Sequence, residues 1–301
     1  MELKMKDSGH AKINSIRPFL NFDSSQLKDS LNNHQTLYIV DNVMLTKMRK
    51  DIVRNPIMVK GFKHSNLIII PDIILEEASE NLPNEQVFRD YYYELFQILS
   101  KRKEIYVVSL EKLFDLLQHM LGKREALRLL KNITLEAVRT NQTITGLIKK
   151  VDVNSPTALK ELEDVLVQNR ENAGERFLTV FALVFLSMYF GPVYIFSDDN
   201  KGVYGPFRTF VNNERLMALI DVEGSVNLIE QYQFFPYERL IQSIFRQENL
   251  SKDELFDLIM ACSRNESRHI LYSLGGYSCY TPISNKKLAE WIYQEIIKIQ
   301  F

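Results

Sequence analysis

Four runs of consecutive apolar residues constrain this chain most: Leu37-Tyr38-Ile39-Val40, Leu67-Ile68-Ile69-Ile70, Ile105-Tyr106-Val107-Val108 and Val193-Tyr194-Ile195-Phe196. Each has the length of a strand and none alternates with polar residues, so each must be covered on both faces, as in a parallel sheet. The intervening segments carry helical patterning. They are Val43 to Arg54, a segment beginning near Ile73 after Pro71, Glu111 to about Arg139 with a break at Gly122, a helix opened by Ser155-Pro156 and running through Leu166, and the apolar stretch Phe177 to Tyr189 stopped by Gly191-Pro192. Strands alternating with helices predict an α/β unit with a central parallel sheet up to about residue 205.

Past that point Phe207–Ile220, Tyr237–Gln247, Ser251–Cys262 and Asn285–Ile299 read as helices, and Ser251-Lys252-Asp253-Glu254 has the spacing of a capping box. Gly275-Gly276 lacks a phosphate-loop pattern and reads as a helix stop. The expected organisation is one α/β domain over 1–205 and a helical C-terminal region over 206–301.

Composition narrows the partners. The 301 residues are 46% hydrophobic, enough for a large core, and 37 Lys plus Arg against 38 Asp plus Glu leave a net charge of −1, which excludes a uniformly basic nucleic-acid binder. Cys262 and Cys279 have neither disulfide-framework nor zinc-ligand spacing, so a reducing, cytoplasmic setting is expected. Met1 to His10 lacks the apolar core of a signal peptide, and no apolar stretch is long enough to span a membrane.

The acids fall at strand ends. Asp41 closes the first run, Glu76 and Glu77 follow the second, and Asp198 and Asp199 close the fourth, while Glu175 heads the apolar helix that feeds it. In an open parallel sheet the C-terminal strand ends gather along one rim, where ligands bind. Carboxylates collected there repel one another unless a cation compensates, and an all-oxygen donor set favours Mg²⁺ or Mn²⁺ over zinc. Simpler roles exist for each: Asp41 as a helix N-cap, the glutamates as acids near helix N-termini, and Asp198-Asp199 as part of a turn.

These residues resemble the PIN-domain nucleases. The resemblance rests on Tyr38-Ile39-Val40-Asp41, on Ile70-Pro71 followed by Glu77, on Gly174-Glu175 heading an apolar helix, and on Ile195-Phe196-Ser197-Asp198-Asp199, and it spans roughly residues 36 to 205. It implies a PIN-like three-layer α/β fold and a Mg²⁺- or Mn²⁺-dependent endoribonuclease. Asp41, Glu77, Glu175 and Asp199 would be the catalytic metal ligands, with Asp198 assisting or coordinating. Glu77 matches the second acid better than Glu76 by its distance from the proline, although one residue of slippage exchanges them. Successive acids are 36, 98 and 24 residues apart, and the long middle interval implies a helical insertion at about 110–170 that sets this chain apart from the compact PIN toxins.

Near-neutrality conceals local polarity. Lys101 to Lys150 holds 11 basic and 5 acidic residues, whereas Val151 to Glu175 holds 2 and 6. A phosphate backbone along Lys101, Arg102, Lys103, Lys123, Arg124 and Arg128 would gain affinity by counterion release, and an ordinary solvated face is the plainer reading. Tyr91-Tyr92-Tyr93 reads as a stacking platform or, since consecutive helix positions diverge, partly as core. His10, His34, His64, His119 and His269 form no catalytic or metal motif.

The leading expectation is an RNA-cleaving enzyme, toxin-like or an abortive-infection effector. Its expected partners are the RNA, a protein inhibitor or partner on the C-terminal region, and a second copy of the chain. The alternative is a non-catalytic PIN-like scaffold binding nucleic acid or protein. A haloacid-dehalogenase-type phosphatase would need a second Asp two residues after Asp41, where this chain has Val43.

Overall fold

The computed structural model describes residues 12–33, 36–62, 67–80, 82–168, 173–188, 191–199, 218, 231–262 and 266–300. After helix α1 (Ser24–Asn33) the chain runs β1 (Leu37–Val40), α2 (Asn42–Arg54), β2 (Leu67–Pro71), α3 (Asp72–Glu80), α4 (Glu85–Ser100) and β3 (Glu104–Val108). Four helices follow, α5 (Leu110–Leu121), α6 (Lys123–Ala137), α7 (Gln142–Lys150) and α8 (Ala158–Val167), before α9 (Ala173–Ser187) and β4 (Val193–Phe196). The described residues end with β5 (Tyr232–Phe235), α10 (Tyr237–Glu248), α11 (Lys252–Cys262), β6 (Ser267–Leu274), β7 (Tyr277–Ser284), α12 (Asn285–Tyr293) and β8 (Ile297–Ile299).

Strands β1 to β5 form one parallel sheet in the order β3-β2-β1-β4-β5. Every residue of β1 and β2 is buried, as continuous apolar strands require when both faces are covered. From β1 the chain steps outward to β2 and β3, then returns across β1 to place β4 on its other side. The reversal opens a crevice at the C-terminal ends of β1 and β4, the switch point at which open α/β sheets take ligands.

Helix α9 is the central apolar helix expected from its sequence, buried at every position from Phe177 to Leu186. The long interval before it is the helical run α5–α8, broken at Gly122, whose φ of 78° suits glycine. Helix α8 starts at Ala158, later than Ser155-Pro156, because Ser155 closes a turn by accepting from the Thr157 amide at 3.2 Å.

The C-terminal region differs from the helical expectation. Helices α10 and α11 stand where expected, and Ser251 and Glu254 form the reciprocal capping box, with Ser251 N–H donating to Glu254 Oε2 at 2.8 Å and Glu254 N–H to Ser251 Oγ at 3.3 Å. Strands β6, β7 and β8, however, make a second, antiparallel sheet in the order β7-β6-β8. Gly275-Gly276 is its two-residue hairpin turn and not a helix stop, for both glycines have positive φ, 57° and 87°, matching the twist of the flanking strands. The helix read over Asn285–Ile299 ends at Tyr293, where Glu295 turns left-handed at φ 52° and β8 begins. The expected helix Phe207–Ile220 lies outside the described residues, apart from residue 218.

The sheet also crosses the boundary placed at residue 205. Strand β5 pairs with β4, and one hydrophobic cluster runs from Ile39 and Phe181 through Ile241, Ile259 and Ile292.

Candidate functional site

Asp41 occupies the N-cap position of α2 in extended conformation, yet its side chain makes no cap hydrogen bond. It reaches instead to β4, where Ser197 Oγ donates to Asp41 Oδ2 at 2.8 Å and itself accepts from the Asp199 amide at 3.0 Å. Both Asp41 and Ser197 are buried. Burial pushes the Asp41 carboxyl up to about 6, the Ser197 hydrogen bond pulls the other way, and the charges of Asp199 and Asp198 add to the rise.

Glu77, on α3, points its carboxylate at the N-terminus of α9. The Gly174 amide donates to Glu77 Oε1 at 3.1 Å, so the carboxylate meets the positive end of that helix. Gly174 leaves room for this approach, because a Cβ there would lie 2.8 Å from Ile74 Cδ1 and 2.9 Å from Glu77 Oε2 and the ends of those side chains would have to shift. Burial raises Glu77 to about 7 against the Gly174 hydrogen bond, with Asp41, Glu80 and Glu76 contributing further.

Glu175 follows Gly174 into the first turn of α9. Burial raises it to about 7, helped by Asp199, Asp41 and Glu77, and its Oε2 is buried with no hydrogen-bond partner. The four residues expected to act together, Asp41, Glu77, Glu175 and Asp199, therefore stand in one another's electrostatic field at the switch point.

The adjacent acids, Asp198 and Glu76, add their charge to this group while making contacts of their own. Asp198 Oδ1 accepts from the Tyr237 amide at 2.8 Å and Oδ2 pairs with Lys47, so both oxygens have protein partners. The cause is α10. Its first residue, Tyr237, is held by stacking of its ring on Phe196 and by donation of its hydroxyl to Asp51, which brings a helix N-terminus against Asp198. Glu76 faces a cavity of about 280 Å³ that it lines with Asp72, Glu77, Glu80, Glu163 and Asp164, and Glu77 takes the place beside Gly174.

The expected RNA-contacting set divides. Lys101 and Arg102 are exposed just before β3, on the rim opposite the carboxylates, since all five strands of that sheet run the same way. Lys103 Nζ donates to the Phe62 carbonyl at 2.9 Å and so ties the sheet edge to the segment before β2. Helix α5 descends about 18 Å from the carboxylate rim, which carries Lys123 and Arg124 at the start of α6 to its far end. Arg128 pairs with Glu125. Lys101, Arg102, Lys123 and Arg124 therefore lie toward the end of the sheet opposite the carboxylates.

Tyr91-Tyr92-Tyr93 offers no open platform: Tyr92 is buried, Arg49 sits over the Tyr91 ring and Phe19 packs edge-on against Tyr93. Ser197 and Lys47 are functional-site residues that the strand-end pattern missed. A small hydroxyl between a buried strand and an Asp pair was the available signal for Ser197, and nothing in the sequence couples Lys47 to a residue 151 positions later.

The donors suit a hard cation: all are carboxylates, burial and their mutual repulsion raise three of them, and Glu175 Oε2 is unpartnered. Among the described residues, no three Asp, Glu, His or Cys side chains are drawn tightly enough to enclose an ion by themselves. No helix among the described residues is long and apolar enough to cross a membrane. The chain matches no protein-family model, no curated protein and no solved structure.

Proposed function

We propose that this protein is a PIN-like, Mg²⁺- or Mn²⁺-dependent endoribonuclease. The observation that carries the reading is the convergence of Asp41, Glu77, Glu175 and Asp199 at the switch point, with Glu175 Oε2 buried and unpartnered. Asp41, Glu175 and Asp199 would hold the ion, and Glu77, steadied by the Gly174 amide, would hold its waters or complete the set. A bound divalent ion supplies Lewis acidity toward a phosphoryl oxygen and offsets the charge that develops there. The chain's own contribution is positioning. Ser197 fixes Asp41 and the Asp199 amide in one arrangement.

Incubating the purified protein with RNA and Mn²⁺ tests the reading, with wild type cleaving and Asp41→Asn silent. Equal release of fragments by the two proteins would sink it. A toxin or abortive-infection role would appear as growth arrest on expression that Asp41→Ala or Asp199→Ala abolishes.

The absence of a closely drawn carboxylate triad among the described residues favours the second reading, a PIN-like scaffold that binds without cleaving. Calorimetry separates the two, because a scaffold would show no Mn²⁺ uptake dependent on Asp199.

A further inference from the structure

The acidic rim needs a basic surface beside it if a polyanion is to approach, and α2 carries one. This helix begins at Asn42, directly after Asp41, and runs away from the carboxylates for about 18 Å. At 100° per residue, Val43, Lys47, Lys50 and Arg54 fall within about 60° of one helix face. Val43 is 46% exposed, Lys50 and Arg54 are exposed, and Lys47 is half-buried where it pairs with Asp198. Asp51 is the only acid of α2, and it is buried and accepts the Tyr237 hydroxyl, so no acid of the helix itself offsets Lys50 and Arg54.

The neighbouring cations are occupied. Lys60 pairs with Glu248, and Arg49 lies over the Tyr91 ring, 2.9 Å from its centroid. The stripe therefore has a defined start at Lys47, whose ammonium joins the basic face to the strand end that carries Asp199.

We infer that the Lys47–Lys50–Arg54 face of α2 is the track for the phosphate backbone of single-stranded RNA entering the carboxylate site. This rests on the nuclease reading for its substrate class, and it moves the RNA-holding surface away from residues 101–128. A single strand suits a narrow stripe on one helix, because three cations in a row follow one backbone. Each phosphate neutralised releases counterions, so the track has a salt-dependence signature.

The test is binding of a short fluorescein-labelled single-stranded oligoribonucleotide, followed by anisotropy over a salt series in EDTA so that cleavage does not intervene. Lys50→Gln with Arg54→Gln removes two contacts while leaving the Lys47–Asp198 pair intact, and should reduce the slope of log K against log salt by about 1.4. Lys50→Arg with Arg54→Lys should keep the wild-type slope, which separates charge from folding. The set Lys101→Gln, Arg102→Gln and Lys123→Gln should leave the slope unchanged.

An unchanged slope in the Lys50→Gln, Arg54→Gln protein overturns the inference, as does a slope lowered by the 101–123 set instead. Cleavage in Mn²⁺ is scored separately. Binding that depends on α2 without any cleavage would remove the nuclease reading and keep the track, whereas cleavage with a slope indifferent to α2 would do the reverse.

Discussion

Ser197 Oγ donates to Asp41 Oδ2 at 2.8 Å and ties the end of β4 to the end of β1 at the crevice where the sheet changes direction. Both groups are buried, so neither has water as a substitute partner. Ser197→Ala should cost about 1–2 kcal/mol of stability, the penalty for a buried acceptor left unsatisfied. It should also lower RNA cleavage about tenfold through kcat, with KM little changed. Urea melts and steady-state kinetics check the two effects, and a variant with wild-type kcat would show that Asp41 needs no positioning.

Gly174→Ala places a methyl group 2.8 Å from Ile74 and 2.9 Å from the Glu77 carboxylate. Crowding of this order costs about 1–3 kcal/mol. Because Glu77 would have to leave the α9 amide, Mn²⁺ affinity should fall with stability. Thermal melts with and without Mn²⁺ measure both; a variant as stable as wild type would show that the helix start can shift.

The two adjacent aspartates should behave differently. Asp199→Asn is expected to abolish Mn²⁺-dependent cleavage. Asp198→Asn should retain Mn²⁺ uptake by calorimetry and lose about 1 kcal/mol of stability, since it weakens the Lys47 pair and the hold on the Tyr237 amide. Equal loss of Mn²⁺ binding in both variants would contradict this division of roles.

Asp72 gives the clearest pH dependence outside the site. Burial raises its carboxyl to about 7, with Glu163 contributing, while the Ile73 amide opposes the rise. A folded-state value above the unfolded one means the native protein holds the extra proton, so stability is greatest below about pH 4 in this contribution and is lost as pH rises through 7. Asp72→Asn, which keeps an acceptor for the Ile73 amide, should match wild type below about pH 4 and exceed it by about 1–2 kcal/mol at pH 8. Urea unfolding at the two pH values decides, and a difference independent of pH would rule out the titration of Asp72.

What could be read in the sequence was what is set locally. A continuous apolar run ending in Asp41, and glycine immediately before Glu175, are both statements about neighbouring residues, and the structure places both at the switch point. The choice between Asp198 and Asp199 was not local, because it depends on Tyr237, 39 positions later, arriving at one of them. Strand β5 escaped notice because Tyr232-Gln233-Phe234-Phe235 is short and runs directly into a helix, so its strand character comes from pairing with β4. The β6–β7 hairpin did carry a local signal in Gly275-Gly276, whose positive φ values suit a two-residue turn as well as a helix stop. The basic excess of residues 101–150 was a true count with no direction attached, and folding carries Lys101, Arg102, Lys123 and Arg124 toward the end of the sheet away from the carboxylates.

Strand β5 has a consequence for how the molecule is built. By hydrogen-bonding to β4 it covers the strand whose end holds Ser197 and Asp199, so the outer margin of the sheet beside the carboxylates is made by residues from the C-terminal part of the chain. A chain cut at residue 205 would leave β4 as a bare, apolar sheet edge open to pairing with another copy, and would withdraw the Tyr237 amide from Asp198. The C-terminal third is thus no detachable accessory: the strand end that carries Ser197 and Asp199 is completed only when the last third of the chain has joined the sheet.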